Sequence, residues 1–421
     1  MVKELSIVRI CLVTNEKLGE SIRLEKQART LLRSGHELIV VCWADKRELP
    51  QKFCDTIPIF GIVRPRSWLI TKLLTQVYKL FYIDVLALPF ILRAVDQFRP
   101  HVVLVRDFDL VGTVLAASRL CHFKVIYDVN DLVSYRMMSN LQVSQQSRLA
   151  QLRIKLNAPF TGIDRISRLE SHYFRTVDRV TTPYDHYKEK MVAMGVATAR
   201  IVVLPNYEDL AWRQTVIRDT AILERYKGQF VISYVGSFYP HRGVDVLIRA
   251  MPMVVEQVLE ARLVLVGPVR DIETNLKLSL EDLVKHMGLW DYVEFSGTVP
   301  TKMVLSYVDA ANVGVIPFRD TIHTNIIVGH KLFMYMAAGR PLIVTNLRGQ
   351  AEVVRQTECG LVVPPDDPVR IAEAIVKLYH DPQLRHTLGE KGKTAVLQSY
   401  NWKVGSRGFR RMVDELAAEV K

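Results

Sequence analysis

The stretch GSFYPHRG, residues 236–243, joins a strand-like run, FVISYV, to a helical pattern, VDVLIRAMPMVV. Gly236 and Gly243 let backbone amides and a helix N-terminus come close to an anion, and Arg242 adds a positive charge at the same turn. The chemistry expected of this loop is the seating of a diphosphate. Further along, His323 and His330 can hydrogen-bond to a ligand's oxygens. They form no zinc-ligand spacing with a cysteine or carboxylate. RDFD, residues 106–109, contains an Asp-x-Asp that holds manganese through nucleotide phosphates in a different fold class. The pattern around it here is not that fold, so no metal is expected.

These residues lie at the ends of elements that alternate in type. IVRICLVT reads as a strand, RLEKQARTLLRSG as a helix stopped by Gly35, and HELIVVCWA as the next buried strand. HVVLVRDFD, FKVIYDVND, RVTTP and IVVLPN continue the alternation. It restarts with FVISYVGS, RLVLVGP, YVEFSG, VGVIPF, PLIVTN and GLVVPP. Such alternation predicts parallel sheets covered by helices, with ligands outside the carboxyl ends of the strands. The 421 residues exceed what one hydrophobic core usually serves, so two doubly wound domains joined near residues 206–228 are expected.

The five cysteines are scattered without a Cys-x-x-Cys pair, which points to a reducing compartment rather than a disulfide framework or zinc ribbon. The amino-terminal apolar run is too short and interrupted for a signal peptide, and no stretch reaches the length of a spanning helix. Cytoplasmic placement is therefore expected. The net charge of +12 is uneven: residues 1–206 carry 30 Lys+Arg against 19 Asp+Glu, and residues 207–421 carry 26 against 25. A basic amino-terminal half calls for an anionic partner. No nucleic-acid-binding motif accompanies it, and nucleic acid is not expected.

The second half resembles the donor domain of the family 4 glycosyltransferases. The resemblance is carried by YVGSFYPHRGVDVLIRAM, LVLVGP, VEFSGTVP, KLFMYMAAGRPLIVTN, GQAEVV and CGLVVPPDDP. IRLEKQARTLLRSGHELIVVC and VLPNYED match more weakly in the first half. The resemblance implies the GT-B architecture of two facing Rossmann-like α/β domains. Residues 1–206 would bind the acceptor and residues 207–397 the nucleotide-sugar donor, with a final helix within 398–421 crossing back to the first domain.

It also implies roles for individual residues. Lys331 would lie beside the donor diphosphate and stabilise the charge that builds on the leaving nucleotide, so that no metal or other cofactor is needed. Arg242 stands where the family usually has Lys, and Ser237 where it often has Arg, which removes one cation. Glu352 matches a carboxylate near the donor. Members commonly carry two glutamates eight positions apart that hold the ribose and contact the sugar. Here those positions are Met334 and Ile326, neither of which accepts a useful hydrogen bond. Met334 also reads as core on an amphipathic helix with Leu332, Phe333 and Met336. Either the ribose is held by other groups in a divergent donor pocket, or the protein is a non-catalytic GT-B relative that has lost donor binding.

In the first half, Gly19, in the loop after the first strand, and Arg23, just beyond it, are expected near the donor phosphates or the acceptor. Asn130 fills a slot where the family frequently has His. That leaves Asp107 and Asp131 for acid–base work or contact with the acceptor hydroxyl. Residues 63–100 mix Arg64, Arg66, Lys72, Lys79 and Arg93 with Trp68, Leu69, Leu73, Leu74, Tyr78, Phe81 and Tyr82, a composition suited to an anionic membrane interface or to covering the sheet. Residues 145–168 are also basic and read as a flap over the cleft. The function expected is a retaining, metal-independent transferase taking a sugar from a nucleotide diphosphate to a glycan or lipid-linked acceptor in cell-surface polysaccharide synthesis, at the inner face of the cytoplasmic membrane.

Overall fold

The computed structural model describes residues 7–16, 18, 21–44, 52–63, 67–144, 162–267 and 274–419. The chain divides into two compact units. The first comprises Met1–Met138, Ser144–Pro205 and Gly405–Lys421, the second Ser139–Val143 and Asn206–Val404.

In the first unit β1 (Arg9–Thr14), β2 (Glu37–Ala44), β3 (Lys52–Phe53), β4 (Ile57–Val63), β5 (Val102–Val105), β6 (Lys124–Asp128), β7 (Arg179–Thr182) and β8 (Ile201–Val203) form one sheet. Its order is β3-β4-β2-β1-β5-β6-β7-β8, parallel except for the short β3–β4 pair. β5 is buried at every position and β1 at all but its first. This is why they read as continuous Val/Ile/Leu runs: helices cover a parallel sheet on both faces. The helix Ile22–Arg33 follows β1, started by the Ser21 hydroxyl accepting from the Leu24 amide. The last helix, Arg407–Glu419, belongs to this unit, and its Glu419 pairs with Arg179 at 2.7 Å.

The second unit holds β9 (Phe230–Val235), β10 (Ala261–Val266), β11 (Val293–Gly297), β12 (Val313–Ile316), β13 (Leu342–Thr345) and β14 (Gly360–Val363). The order β11-β10-β9-β12-β13-β14 is wholly parallel. It is the doubly wound arrangement, in which the winding reverses between β9 and β12 and opens a crevice at their carboxyl ends. In the first unit the reversal falls between β1 and β5. The two segments by which the chain enters and leaves the second unit lie side by side, since Glu208 bridges Asn401 and the Trp402 amide donates to the Glu208 carbonyl at 2.9 Å. Among the described residues no helix is long and apolar enough to cross a membrane.

Candidate active site

The GSFYPHRG loop lies at the switch point of the second unit. Gly236 follows β9 with φ +132°, and its amide donates to the Val266 carbonyl at 2.8 Å. A Cβ there would stand 2.6 Å from Lys331 Nζ. Gly243 has φ +66°, and a Cβ on it would run into the Pro317 carbonyl oxygen. Both positions thus need glycine for backbone conformation and for close approach. The twelve-residue helix Val244–Val255 begins immediately after Gly243.

Arg242 and Lys331 converge on one aromatic seat. The Arg242 guanidinium lies 4.5 Å from the centre of the Phe318 ring, and Lys331 Nζ lies 5.2 Å from the same ring and 3.9 Å from that of Tyr234. Lys331 occupies the first turn of the helix His330–Ala337. Burial, reinforced by the Arg242 charge, holds its ammonium well below the usual lysine range. Among the described residues neither cation has a carboxylate partner. By contrast Arg319, at the same strand end, is saturated by Asp245 at 2.7 Å and Asp366 at 2.7 Å. Its amide donates to the His241 carbonyl, so it clamps the turn that carries Arg242.

The remaining expected residues have distinct placements. The Ser237 carbonyl accepts from the Tyr234 hydroxyl at 2.9 Å. His323 is buried, edge-on to His241 with ring centres 6.0 Å apart. His330 Nε2 meets the buried Glu208 carboxylate at 2.7 Å, so one face of this imidazole is committed to the protein. Met334 is 4 % exposed and buried along with Leu332, Phe333 and Met336, as the amphipathic pattern requires. Glu352 is exposed on the helix Arg348–Thr357 and accepts from Gln356 at 3.3 Å. On that helix the buried Gln350 amide group donates to Thr345 Oγ1 at 2.8 Å and to the Thr345 carbonyl at 3.0 Å. The backbone of Gly349 packs against the carbonyls of Ile326 and Ile327.

The switch point of the first unit has opposite character. Asp107, after β5, accepts from Thr14 Oγ1 at 2.7 Å and from the Asn15 amide at 2.8 Å. Burial nonetheless wins over these bonds and raises its pKa to about 6. Asp109 is exposed and accepts from the Tyr78 hydroxyl at 2.7 Å. The two carboxylates of RDFD thus have separate protein partners. Asp131 and Asn130 are half-buried in the loop after β6.

Arg23, expected at a ligand cleft, is held by protein groups. It is buried, and its guanidinium makes a bidentate pair with Asp128, 2.7 Å at the closest, and donates to the Leu204 carbonyl at 2.7 Å. Its role is to tie the helix after β1 to β6 and to the end of β8. Gly19, Arg64, Arg66 and residues 145–161 lie outside the described residues, as do the side chains of Trp68, Leu69 and Leu73.

Tyr234, Phe318 and Arg319 were not singled out in the sequence. Tyr234 and Phe318 sit within strand patterns that read as core, and only the switch point turns those strand ends into the walls of a site. The apolar strand end VGVI followed by Pro-Phe-Arg was the available signal.

The second unit is a doubly wound α/β domain with paired glycines and, among the described residues, two cations without a carboxylate partner at its switch point, and another doubly wound unit precedes it. Residues 217–395 match the family described as glycosyl transferases group 1, and residues 19–207 match the glycosyl transferase 4-like domain. The chain belongs to this glycosyltransferase family, of the GT-B class. A phosphatidyl-myo-inositol mannosyltransferase of Mycobacterium leprae is 29 % identical over 178 residues, 42 % of this chain and 41 % of that protein. A GDP-mannose-dependent alpha-(1-6)-phosphatidylinositol monomannoside mannosyltransferase of Mycobacterium tuberculosis is 30 % identical over 165 residues, 39 % and 42 % of the two chains. The matches span half or less of the length of such curated relatives. Among solved structures, the sucrose-phosphate synthase from Thermosynechococcus elongatus superposes with a TM-score of 0.73 at 18 % identity, covering 98 % of this chain and 100 % of that one. Anabaena Alr3699/HepE in complex with UDP-glucose gives 0.72 at 14 % identity, covering 97 % and 100 %. These likenesses concern the fold.

Proposed function

We propose that the protein transfers a sugar from a nucleotide diphosphate sugar to a glycan or lipid-linked acceptor, with retention of configuration and without a metal. The observation that carries the reading is the pair of cations, Arg242 and Lys331, that both lie against the Phe318 ring and have no carboxylate partner among the described residues. Two like charges held together in a partly desolvated crevice are unfavourable alone and become favourable when a dianion joins them.

As the bond between the anomeric carbon and the diphosphate oxygen breaks, its electron pair passes to the diphosphate. Arg242 and Lys331 stabilise that charge more strongly in the transition state than in the bound substrate. The acceptor hydroxyl oxygen forms the new bond and gives up its proton. In the first unit Asp107, with a pKa near neutrality, is the group matched to contact or receive that proton, and Asp131 stands nearby in sequence order of the strand ends as a second acceptor-side carboxylate. Positioning supplies much of the remaining catalysis.

A lipid-linked acceptor is supported by the exposed Leu80, Phe81 and Val85 around the end of the helix Trp68–Phe81, which also carries Lys72 and Lys79. This composition fits an anionic membrane surface on the cytoplasmic side. The phosphoinositide acceptors named for the mycobacterial relatives belong to the same chemical class.

The test is calorimetric titration with UDP, GDP, ADP and their common sugar conjugates, with and without divalent metal. Metal-independent micromolar binding of one nucleotide is expected, followed by sugar transfer whose product anomer is read by NMR. Absence of binding to all of them would make Ile326 and Met334 marks of a disabled pocket and favour the non-catalytic reading.

A further inference from the structure

At the other end of the second unit's sheet lies a pocket that the transfer chemistry does not use. It encloses about 450 Å³, within the range of roughly 300–1,000 Å³ typical of small-ligand sites. It is built where β9, β10 and β11 begin, from the turn after the helix Thr220–Arg225, the first residues of β10, and the turn Trp290–Tyr292 that leads into β11. The nucleotide crevice is at the carboxyl ends of these parallel strands. Six-residue strands rising about 3.3 Å per residue separate the two sites by roughly 20 Å.

The lining excludes several ligand classes. Aromatic rings dominate: Trp290 is 52 % exposed although it lines a concavity, and Tyr226, Tyr292 and Phe295 join it. Three carboxylates, Glu281, Asp291 and Glu294, face two guanidiniums, Arg225 and Arg262. Arg225 is already paired with Glu294 at 2.9 Å, and Arg262 lies 5.4 Å from the Tyr292 ring centre while donating to the Ala261 carbonyl at 2.8 Å. A phosphate or nucleic acid would meet a net negative lining whose cations are satisfied, the reverse of the Arg242–Lys331 seat. A purely apolar ligand would strand the charges.

What suits the pocket is a neutral, polyhydroxylated ring. Its C–H face stacks on the negative face of an aromatic side chain, and each hydroxyl, at once donor and acceptor, bridges a guanidinium and a carboxylate that are already paired. We propose that this pocket is a second carbohydrate-binding site, which takes a neutral hexose unit of an oligosaccharide. Trp290 is the stacking platform, and Arg225 with Glu294 fixes the hydroxyls. Calling that oligosaccharide a distal part of the enzyme's own acceptor or product rests on the proposed transferase function; the binding itself does not.

The test uses the full chain and saturation-transfer NMR with neutral oligosaccharides of five or six units: α-1,4-glucan, α-1,6-mannan, β-1,3-glucan and β-1,4-glucan. At least one should receive saturation. Trp290→Ala should weaken its binding about tenfold, the value of a lost aromatic contact, and Glu294→Gln should weaken it less. Thermal melting should show both variants folded, and both should bind nucleotide as the unaltered chain does. No saturation transfer to any of the four at millimolar concentration overturns the proposal, as does undiminished binding by Trp290→Ala. A change of oligomeric state in Trp290→Ala with sugar binding intact would identify the patch as a self-association surface and overturn it equally. Loss of nucleotide binding by the unaltered chain would sink the donor reading while leaving this result readable.

Discussion

The two switch points share a topology and oppose each other in charge. In the second unit, nearly neutral overall, Arg242 and Lys331 have no carboxylate partner among the described residues. In the first unit, which carries most of the positive charge, the corresponding crevice presents Asp107 and Asp109. Of its buried arginines, Arg23 pairs with Asp128 and Arg106 lies 3.4 Å from Glu16. Bulk charge therefore says little about a site. What counts is which charges the fold leaves uncompensated at the strand ends, because a paired ion offers a ligand almost nothing. On the function proposed above, one unit would take the anion and the other the acceptor hydroxyl or its proton.

The strongest way to break this contrast is to remove the cations. Arg242→Ala and Lys331→Ala should each weaken nucleoside diphosphate binding by about 10- to 100-fold, the range for a lost charge-assisted contact, as read by calorimetry. If either variant binds as tightly as the unaltered chain, the cationic crevice is not the donor seat.

A comparable effect is expected on the acidic side, in the rate rather than in binding. Asp107→Asn should lower kcat by about 100-fold, the low end of the range for general acid–base groups, if the carboxylate takes a proton, while nucleotide affinity changes little. The unaltered enzyme should lose kcat/KM as pH falls below about 6, and the variant should lack that limb. The stability linkage has the opposite sense. The folded pKa is raised above the ordinary carboxylate range, so the folded state holds the proton more tightly, and this group's contribution to stability grows as pH falls through 6. A variant that keeps the acidic limb assigns it to another group.

A subtler effect sharpens the cationic side. Burial and the Arg242 charge lower the pKa of Lys331, and a bound diphosphate acts in the opposite direction and raises it, so Lys331 holds its proton more tightly in the complex than in the free protein. Nucleotide binding should be accompanied by proton uptake, seen as a calorimetric enthalpy that varies with the buffer's ionisation enthalpy, and should weaken as pH rises. Lys331→Arg should abolish the buffer dependence, since arginine stays charged.

The residue sequence by itself determined the alternation of strands and helices, because parallel strands buried on both faces read as unbroken Val, Ile and Leu runs. It determined the glycines of the loop after β9, since Gly236 and Gly243 each carry a positive φ and a Cβ on Gly243 would meet the Pro317 carbonyl. For Met334 it offered core as one of the readings, and the residue is buried with Leu332, Phe333, Tyr335 and Met336. Tertiary structure decided the rest, because pairing is a property of space and not of order along the chain. Only the fold gave Arg23 to Asp128, 105 residues away, and so took it from any ligand. The same fold brought Phe318 and Tyr234 under Lys331 and set Glu208 against His330. At the opposite strand ends it gathered Tyr226, Arg262 and Trp290 around one pocket. Residue types state what chemistry is available; the charges that packing leaves unsatisfied state which of it is used.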